Sequence, residues 1–279
     1  MRELKIAYSP CPNDTFIFYG LVHGLIKTKG LSFSETLIDI DALNKKALKE
    51  EFDVIKVSYH AFALLRDKYC LIRSGGAMGR GCGPLVVARH KCSMKDLQGK
   101  RIAIPGRLTT AYLLLELYDP RFKGNVLVMR FNEIMPEVES GEVDAGLIIH
   151  EGRFTYRQYG LKCVKDLGTW WEKKTAQALP LGAIAVRRSL GKDLIGKIQS
   201  LIRESVLYSL RHPSEPMRYI KRHSEELSDS VIKRHISLYV NDYSIDIGEE
   251  GIKAVREMFR LAGEAGLIKG SQELSFDVL

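Results

Sequence analysis

The segment Ile148-Ile149-His150-Glu151-Gly152-Arg153-Phe154 puts an imidazole directly after an apolar run. A neutral imidazole with a pKa near ~6.5 is a competent general base at neutral pH. The C-terminal end of a buried strand is also where α/β sheets place function. Gly152 lets a ligand approach closely. Phe154 stands where a second histidine would complete H-E-x-x-H, so this is not a zinc-protease helix. A lone histidine is more often packed or exposed than catalytic. The other six (His23, His60, His90, His212, His223, His235) sit in weaker contexts.

Two further segments could hold an anion. Pro105-Gly106-Arg107-Leu108-Thr109-Thr110-Ala111 follows a strand and opens a helix, offering two hydroxyls, an arginine and free backbone N–H groups. A simple N-cap by Thr109 explains only one of the two threonines. Lys56-Val57-Ser58-Tyr59-His60 ends another strand. A lysine there is costly unless it reaches solvent or an anion, and beside a serine-led helix start it makes a carboxylate pocket. Ser9–Phe16 is a proline-stiffened strand-to-helix turn in which Asn13 or Asp14 can cap the helix. It needs no ligand, yet it brings polar groups to the sheet edge.

The glycine-rich stretch Ser74–Gly83 does not read as a nucleotide loop. It runs into another strand, Gly83–Arg89, and lacks G-K-[ST], which excludes NAD and ATP. It reads as a wall or hinge loop with Arg80 facing a cleft. Trp170-Trp171 could line that cleft or cover a core.

The elements that must position these groups alternate. Strands are predicted over 4–8, 31–39, 54–57, 101–104, 126–130 and 145–149. Helices are predicted over 15–23, 42–50, 110–118 and 133–140, with long amphipathic helices over 194–210 and 252–261. Such alternation predicts βαβ units and largely parallel sheets. Gly83–Arg89 and Gly182–Arg188 look alike and bracket one α/β stretch, which predicts two hinge strands between two lobes. The expected division is 1–85 for the first part of lobe 1, 86–187 for lobe 2, and 188–279 returning to lobe 1. Ligand would sit in the cleft between them.

At 279 residues, 45% hydrophobic and 27% charged, the chain is neither disordered nor fibrous. A net charge of +8 favours an anionic partner, a carboxylated small molecule or nucleic acid. The densest basic stretch, Arg218, Lys221, Arg222 and His223, is interleaved with Glu225 and Glu226. It reads as a solvated helix face, so nucleic acid is not expected. No apolar run approaches the ~18 residues of a membrane span, and the first residues carry no leader pattern. The five cysteines (Cys11, Cys70, Cys82, Cys92, Cys163) include no C-x-x-C pair, so reduced thiols in a cytoplasm are expected, without a zinc site.

Taken in order, Ser9–Phe16, Asp39–Asn44, Lys56–Phe62, Ser74–Arg89, Ile104–Ala111, Gly141–Tyr156, Asp166–Glu172 and Leu179–Arg188 resemble one family, the 1,4-dihydroxy-6-naphthoate synthases of the futalosine route to menaquinone. Residues beyond Ser189 resemble it more diffusely. The resemblance implies a type 2 periplasmic-binding-protein fold and a cofactor-independent lyase. Its substrate would be cyclic dehypoxanthinyl futalosine, and its products 1,4-dihydroxy-6-naphthoate and a dihydroxyacetone fragment. It also implies that His150 is the base, with substrate contacts at Lys56, Val57 and Ser58 and at Thr109, Thr110 and Ala111. The rivals are a chorismate-dehydratase-like sister enzyme, a non-catalytic solute-binding protein and a regulator's sensing domain.

Overall fold

The computed structural model describes residues 2–225 and 228–269. Glu226 and residues 270–279 of the expected third segment lie outside the described residues. From the N-terminus come β1 (Arg2–Tyr8), α1 (Pro12–Val22), β2 (Leu31–Leu37), α2 (Ile40–Leu48), β3 (Val54–Ser58), α3 (Tyr59–Phe62), β4 (Tyr69–Leu71) and β5 (Ala77–Gly79). The chain then crosses to β6 (Leu85–Ala88), β7 (Ile102–Ile104), α4 (Thr110–Tyr118), β8 (Val126–Val128), α5 (Ile134–Ser140), β9 (Ala145–Ile148), α6 (Gly152–Thr155) and β10 (Lys162–Asp166). It returns through α7 (Leu167–Thr175) to β11 (Leu179–Arg187). The remainder is helical: α8 (Lys192–Arg211), α9 (Met217–His223), α10 (Asp229–Tyr239), α11 (Asp242–Ile245) and α12 (Gly248–Glu264).

Two mixed sheets result. One has the order β2-β1-β3-β11-β4, with β5 also on β11; the other has the order β10-β6-β9-β7-β8. The βαβ units are parallel as expected, β1 with β2 and β3, and β7 with β8 and β9. The strands next to the crossings are antiparallel instead: β11 against β3, and β6 against β9 and β10. β6 and β11 are each reached by a crossing from the other sheet and not by a βαβ crossover within their own, so they need not run parallel to their neighbours.

The expected hinge strands are corrected by the same topology. Gly182–Val186 pairs with Val54–Ser58 inside the first sheet, so 179–187 belongs to that sheet and not to lobe 2. Arg80–Pro84, between β5 and β6, forms one crossing, and α7 with the residues before β11 forms the other. These crossings touch through glycine. A Cβ on Gly83 would lie 2.3 Å from the Gly168 Cα, so neither position has room for a side chain. Leu167 N donates to Pro84 O at 3.0 Å, and Arg153 Nη1 donates to Gly83 O at 2.7 Å.

The apolar core is not divided cleanly between the lobes. One apolar cluster belongs to the first sheet and α8, and a smaller one to the second sheet and α5. The largest contains Ile55 and Val57 of the first sheet together with Tyr112, Leu147 and Met258. Pulling the lobes apart would expose part of that cluster, so burial holds them together. Trp171 is fully buried there, its Nε1 donating to Ala178 O at 3.1 Å, and Trp170 packs edge-on against Tyr118. The tryptophan pair covers a core.

Local chemistry sets the helix starts that matter. Thr109 caps α4, its Oγ1 accepting from Tyr112 N at 3.2 Å. α1 starts earlier than expected, because Pro12 occupies its first turn and Cys11 becomes the N-cap. Asn13 and Asp14 therefore sit inside the first turn, turned toward other partners.

Candidate active site

Between the sheets lies a cavity of about 90 Å³, reached by Ser9, Asn13, Asp14, Lys56 and Ser58 from the first lobe and by Thr109, Thr110, Ala111 and His150 from the second. Ile40, Ala77, Pro84, Ile149 and Leu181 supply an apolar lining, and His235 and Tyr239 of α10 complete it. Mostly apolar walls with a few convergent polar groups suit a ring-bearing ligand.

His150 follows β9 at φ +54°, one of few non-glycine residues described in left-handed backbone. That conformation costs about 1–2 kcal/mol for an ordinary side chain. It aims the ring back across the cleft, where Nδ1 lies 2.9 Å and Nε2 4.0 Å from Cys11 Sγ. Phe131 packs beside the ring at 5.0 Å between centroids. Burial pushes the His150 pKa down to about 4, the charges of Asp14 and Asp39 opposing the shift and that of Lys56 adding to it. The imidazole is thus neutral at pH 7, but a weaker base than its ordinary value suggests. Burial likewise holds the Cys11 thiol well above its ordinary range.

Lys56 finds its anion inside the protein. Its Nζ sits 2.8 Å from Asp14 Oδ1 and 3.1 Å from Gly75 O, with both side chains buried. Asp14 also accepts from Ser9 Oγ at 2.7 Å and from Asn13 Nδ2 at 2.8 Å. The lysine's charge is therefore matched before any ligand arrives.

Ser58 and Asn44 hold each other: Ser58 N donates to Asn44 Oδ1 at 2.9 Å, and Asn44 Nδ2 donates to Ser58 Oγ at 3.1 Å. Thr109 Oγ1 is taken by its cap and by Gly106 O at 2.7 Å. Thr110 spans the lobes. Its Oγ1 accepts from Tyr59 N at 3.0 Å and donates to Leu181 O at 2.6 Å. Val57 points into the core instead of the cavity, as strand alternation between Lys56 and Ser58 requires. Arg80 turns away from the cleft to Ala176 O, at 3.1 Å, and to Glu250.

Sequence reasoning missed His235. On α10 it shares a buried face with Val231, Ile232 and Tyr239, and a histidine on such a face was the available signal. Its Nε2 lies 2.9 Å from Asn13 Oδ1 and its ring 6.3 Å from that of His150. Because Asn13 Nδ2 is committed to Asp14, its oxygen faces His235, so Nε2 must carry the hydrogen. Cys11 was likewise not singled out, since its partner lies 139 positions away.

Fold and site together define a two-lobed protein of periplasmic-binding-protein type with an imidazole in its cleft. The alkanesulfonate-binding protein of Xanthomonas axonopodis pv. citri, solved with MOPS bound, shares the fold at a TM-score of 0.73 and 14% identity, over 97% of this chain and 96% of that one. A crystal structure from Archaeoglobus fulgidus reaches 0.90 at 40% identity, over 95% and 98%.

The chain belongs to the menaquinone biosynthesis family, whose sequence profile matches residues 4–264. It is 51% identical over 267 residues to the 1,4-dihydroxy-6-naphthoate synthase of Thermus thermophilus, covering 96% of each chain. It is 43% identical over 279 residues to the Streptomyces coelicolor enzyme of the same name, covering 98% of each. With these relatives it is an enzyme of that family. No helix among the described residues is long and apolar enough to cross a membrane.

Proposed function

We propose that the protein is a cytoplasmic carbon–carbon lyase that converts cyclic dehypoxanthinyl futalosine into 1,4-dihydroxy-6-naphthoate, releasing a dihydroxyacetone fragment. The observation that carries this reading is His150, held in left-handed backbone at a strand end and facing a cavity rimmed by hydroxyls. Near-full-length identity to two synthases of that name supports it.

His150 acts as the general base. With Nδ1–H donated to the Cys11 sulfur, Nε2 carries the lone pair that receives the substrate proton. Proton removal starts a fragmentation that ends in a fused aromatic ring, so aromatisation drives the reaction as a whole. Cys11 orients the imidazole and is not a nucleophile, because its buried, protonated thiol is unreactive.

The substrate carboxylate inserts between Thr110 and the start of α3. It accepts from Tyr59 N–H and from a rotated Thr110 hydroxyl, so two charge-assisted bonds replace the two that Thr110 makes to Tyr59 N and Leu181 O. Ser58 and Thr109 fix the backbone on either side, and Ala111 leaves room for the ring. Lys56 contributes positive potential while its ammonium stays on Asp14. Lobe closure then excludes water from reactive intermediates.

Incubating the purified protein with cyclic dehypoxanthinyl futalosine and following the naphthoate absorbance tests this directly. Folded protein that forms no naphthoate contradicts it.

A further inference from the structure

We propose that Cys11, His150 and Glu151 form a binding site for a thiophilic divalent cation such as Zn²⁺, and that filling it switches the enzyme off by occupying the base. One sulfur, one ring nitrogen and one carboxylate oxygen from these residues all lie within 4.8 Å of one another. Zinc bonds of about 2.3 Å to sulfur and 2.0 Å to nitrogen in a tetrahedron put S and N about 3.5 Å apart. The Cys11–His150 separation of 2.9 Å therefore needs only a small retreat of the ring.

A second observation points to the same ligand. His235 Nδ1 is buried without a hydrogen-bond partner and lies 3.8 Å from Glu151 Oε2. Since its Nε2 donates to Asn13, Nδ1 presents a bare lone pair toward this cluster. It adjoins the cluster through Glu151 and would have to move toward the cation to serve as a fourth ligand. Thiolate and imidazole donors select zinc-like ions over Mg²⁺ or Ca²⁺. Binding replaces the Cys11 S–H bond by an S–metal bond and releases that proton to solvent, while the Nδ1 proton of His150 moves to Nε2, so Nδ1 ligates the cation and Nε2 loses the lone pair that serves as the base. The binding site stands apart from the proposed reaction; only the inhibition rests on His150 being the base.

Co²⁺ is the probe. One equivalent added to the reduced, substrate-free protein should give a thiolate-to-cobalt charge-transfer band in the near ultraviolet. That band should be lost in Cys11→Ser, weaken at least about tenfold in Glu151→Gln, and survive in the Cys92→Ser/Cys163→Ser double variant. Zn²⁺ should bleach the band and stop turnover at the same stoichiometry, and a chelator should restore both. Should Cys11→Ser not fold, His150→Asn replaces it, and the band should weaken there at least about tenfold, as in Glu151→Gln. No band, a band that persists without Cys11, or a band undiminished in His150→Asn overturns the site. A band with undiminished turnover overturns the inhibition. A band on protein that never forms naphthoate refutes the proposed reaction and leaves the cation site standing.

Discussion

Cys11 Sγ and His150 Nδ1 lie 2.9 Å apart across the cleft, joining the first turn of α1 in one lobe to the end of β9 in the other. The contact bridges the two lobes, so the orientation of the imidazole is tied to their relative position. An orienting hydrogen bond of this kind selects the tautomer that leaves the other nitrogen free.

The pH dependence follows from burial of that ring. With the His150 pKa lowered to about 4, kcat/KM should stay flat through neutrality and lose half its value only near that pH. Stability moves in the same sense. Folding lowers the pKa, so the unfolded chain takes up the proton first. The contribution is therefore complete above ~6.5 and is lost as pH falls from there to about 4. His235, also lowered by burial, adds to the loss. Urea midpoints and initial rates across pH 4–8 check both, and an acid limb centred near ~6.5 would contradict the burial argument.

The Lys56–Asp14 pair separates a structural role from a substrate role. Lys56→Met or Asp14→Asn alone leaves a buried charge without its partner and should cost about 3–5 kcal/mol of stability. The double substitution should recover at least about half of that. Its KM should rise less than about tenfold, because the carboxylate is held elsewhere. A double variant that is stable yet has lost substrate affinity altogether would make Lys56 the carboxylate's partner.

Thr110→Val leaves Tyr59 N–H and Leu181 C=O facing a methyl group, about 1–3 kcal/mol for each buried group. That cost falls on the closed form. KM should rise more than kcat falls, and scattering should give a larger radius of gyration for the free variant than for the free wild type. Added product should shrink it to the wild-type value. A fall in kcat at unchanged KM would place Thr110 in the chemical step instead.

The crossing point is equally open to test. Gly83→Ala drives a methyl to 2.3 Å from Gly168, and Gly168→Ala meets Gly83 in turn. Each should lower stability by about 1–3 kcal/mol or more, as overpacking does. Each should also speed proteolysis between the lobes. Thermal melting that matches wild type would mean the crossings are looser than the structure has them.

Much of this was legible in the chain, and what was not has a physical reason. Residues 110–118 read as a helix and form one, because a threonine cap and an apolar run agree locally. His150 was legible because it directly follows a buried strand. The second crossing was misplaced because a buried strand carries the same apolar pattern in either sheet, so Leu179–Arg187 looks like Leu85–Ala88. Lys56 read as a group waiting for an anion, which was sound; that the anion is Asp14, 42 positions away, is tertiary information. His235 was passed over for the same reason: a histidine on the apolar face of α10 was visible, but that this face closes the cleft is tertiary information.

The central claim is that His150 is the base, and His150→Asn tests it most directly. Asparagine accepts left-handed backbone more readily than most residues, so the variant should fold with stability equal to or above wild type. Rapid mixing of saturating cyclic dehypoxanthinyl futalosine with wild type and variant, followed by naphthoate absorbance in a single turnover, isolates the chemical step. The account predicts naphthoate formation slowed by about 10²-fold or more in the variant, with ligand still bound. A folded His150→Asn that forms naphthoate at close to the wild-type rate would contradict it.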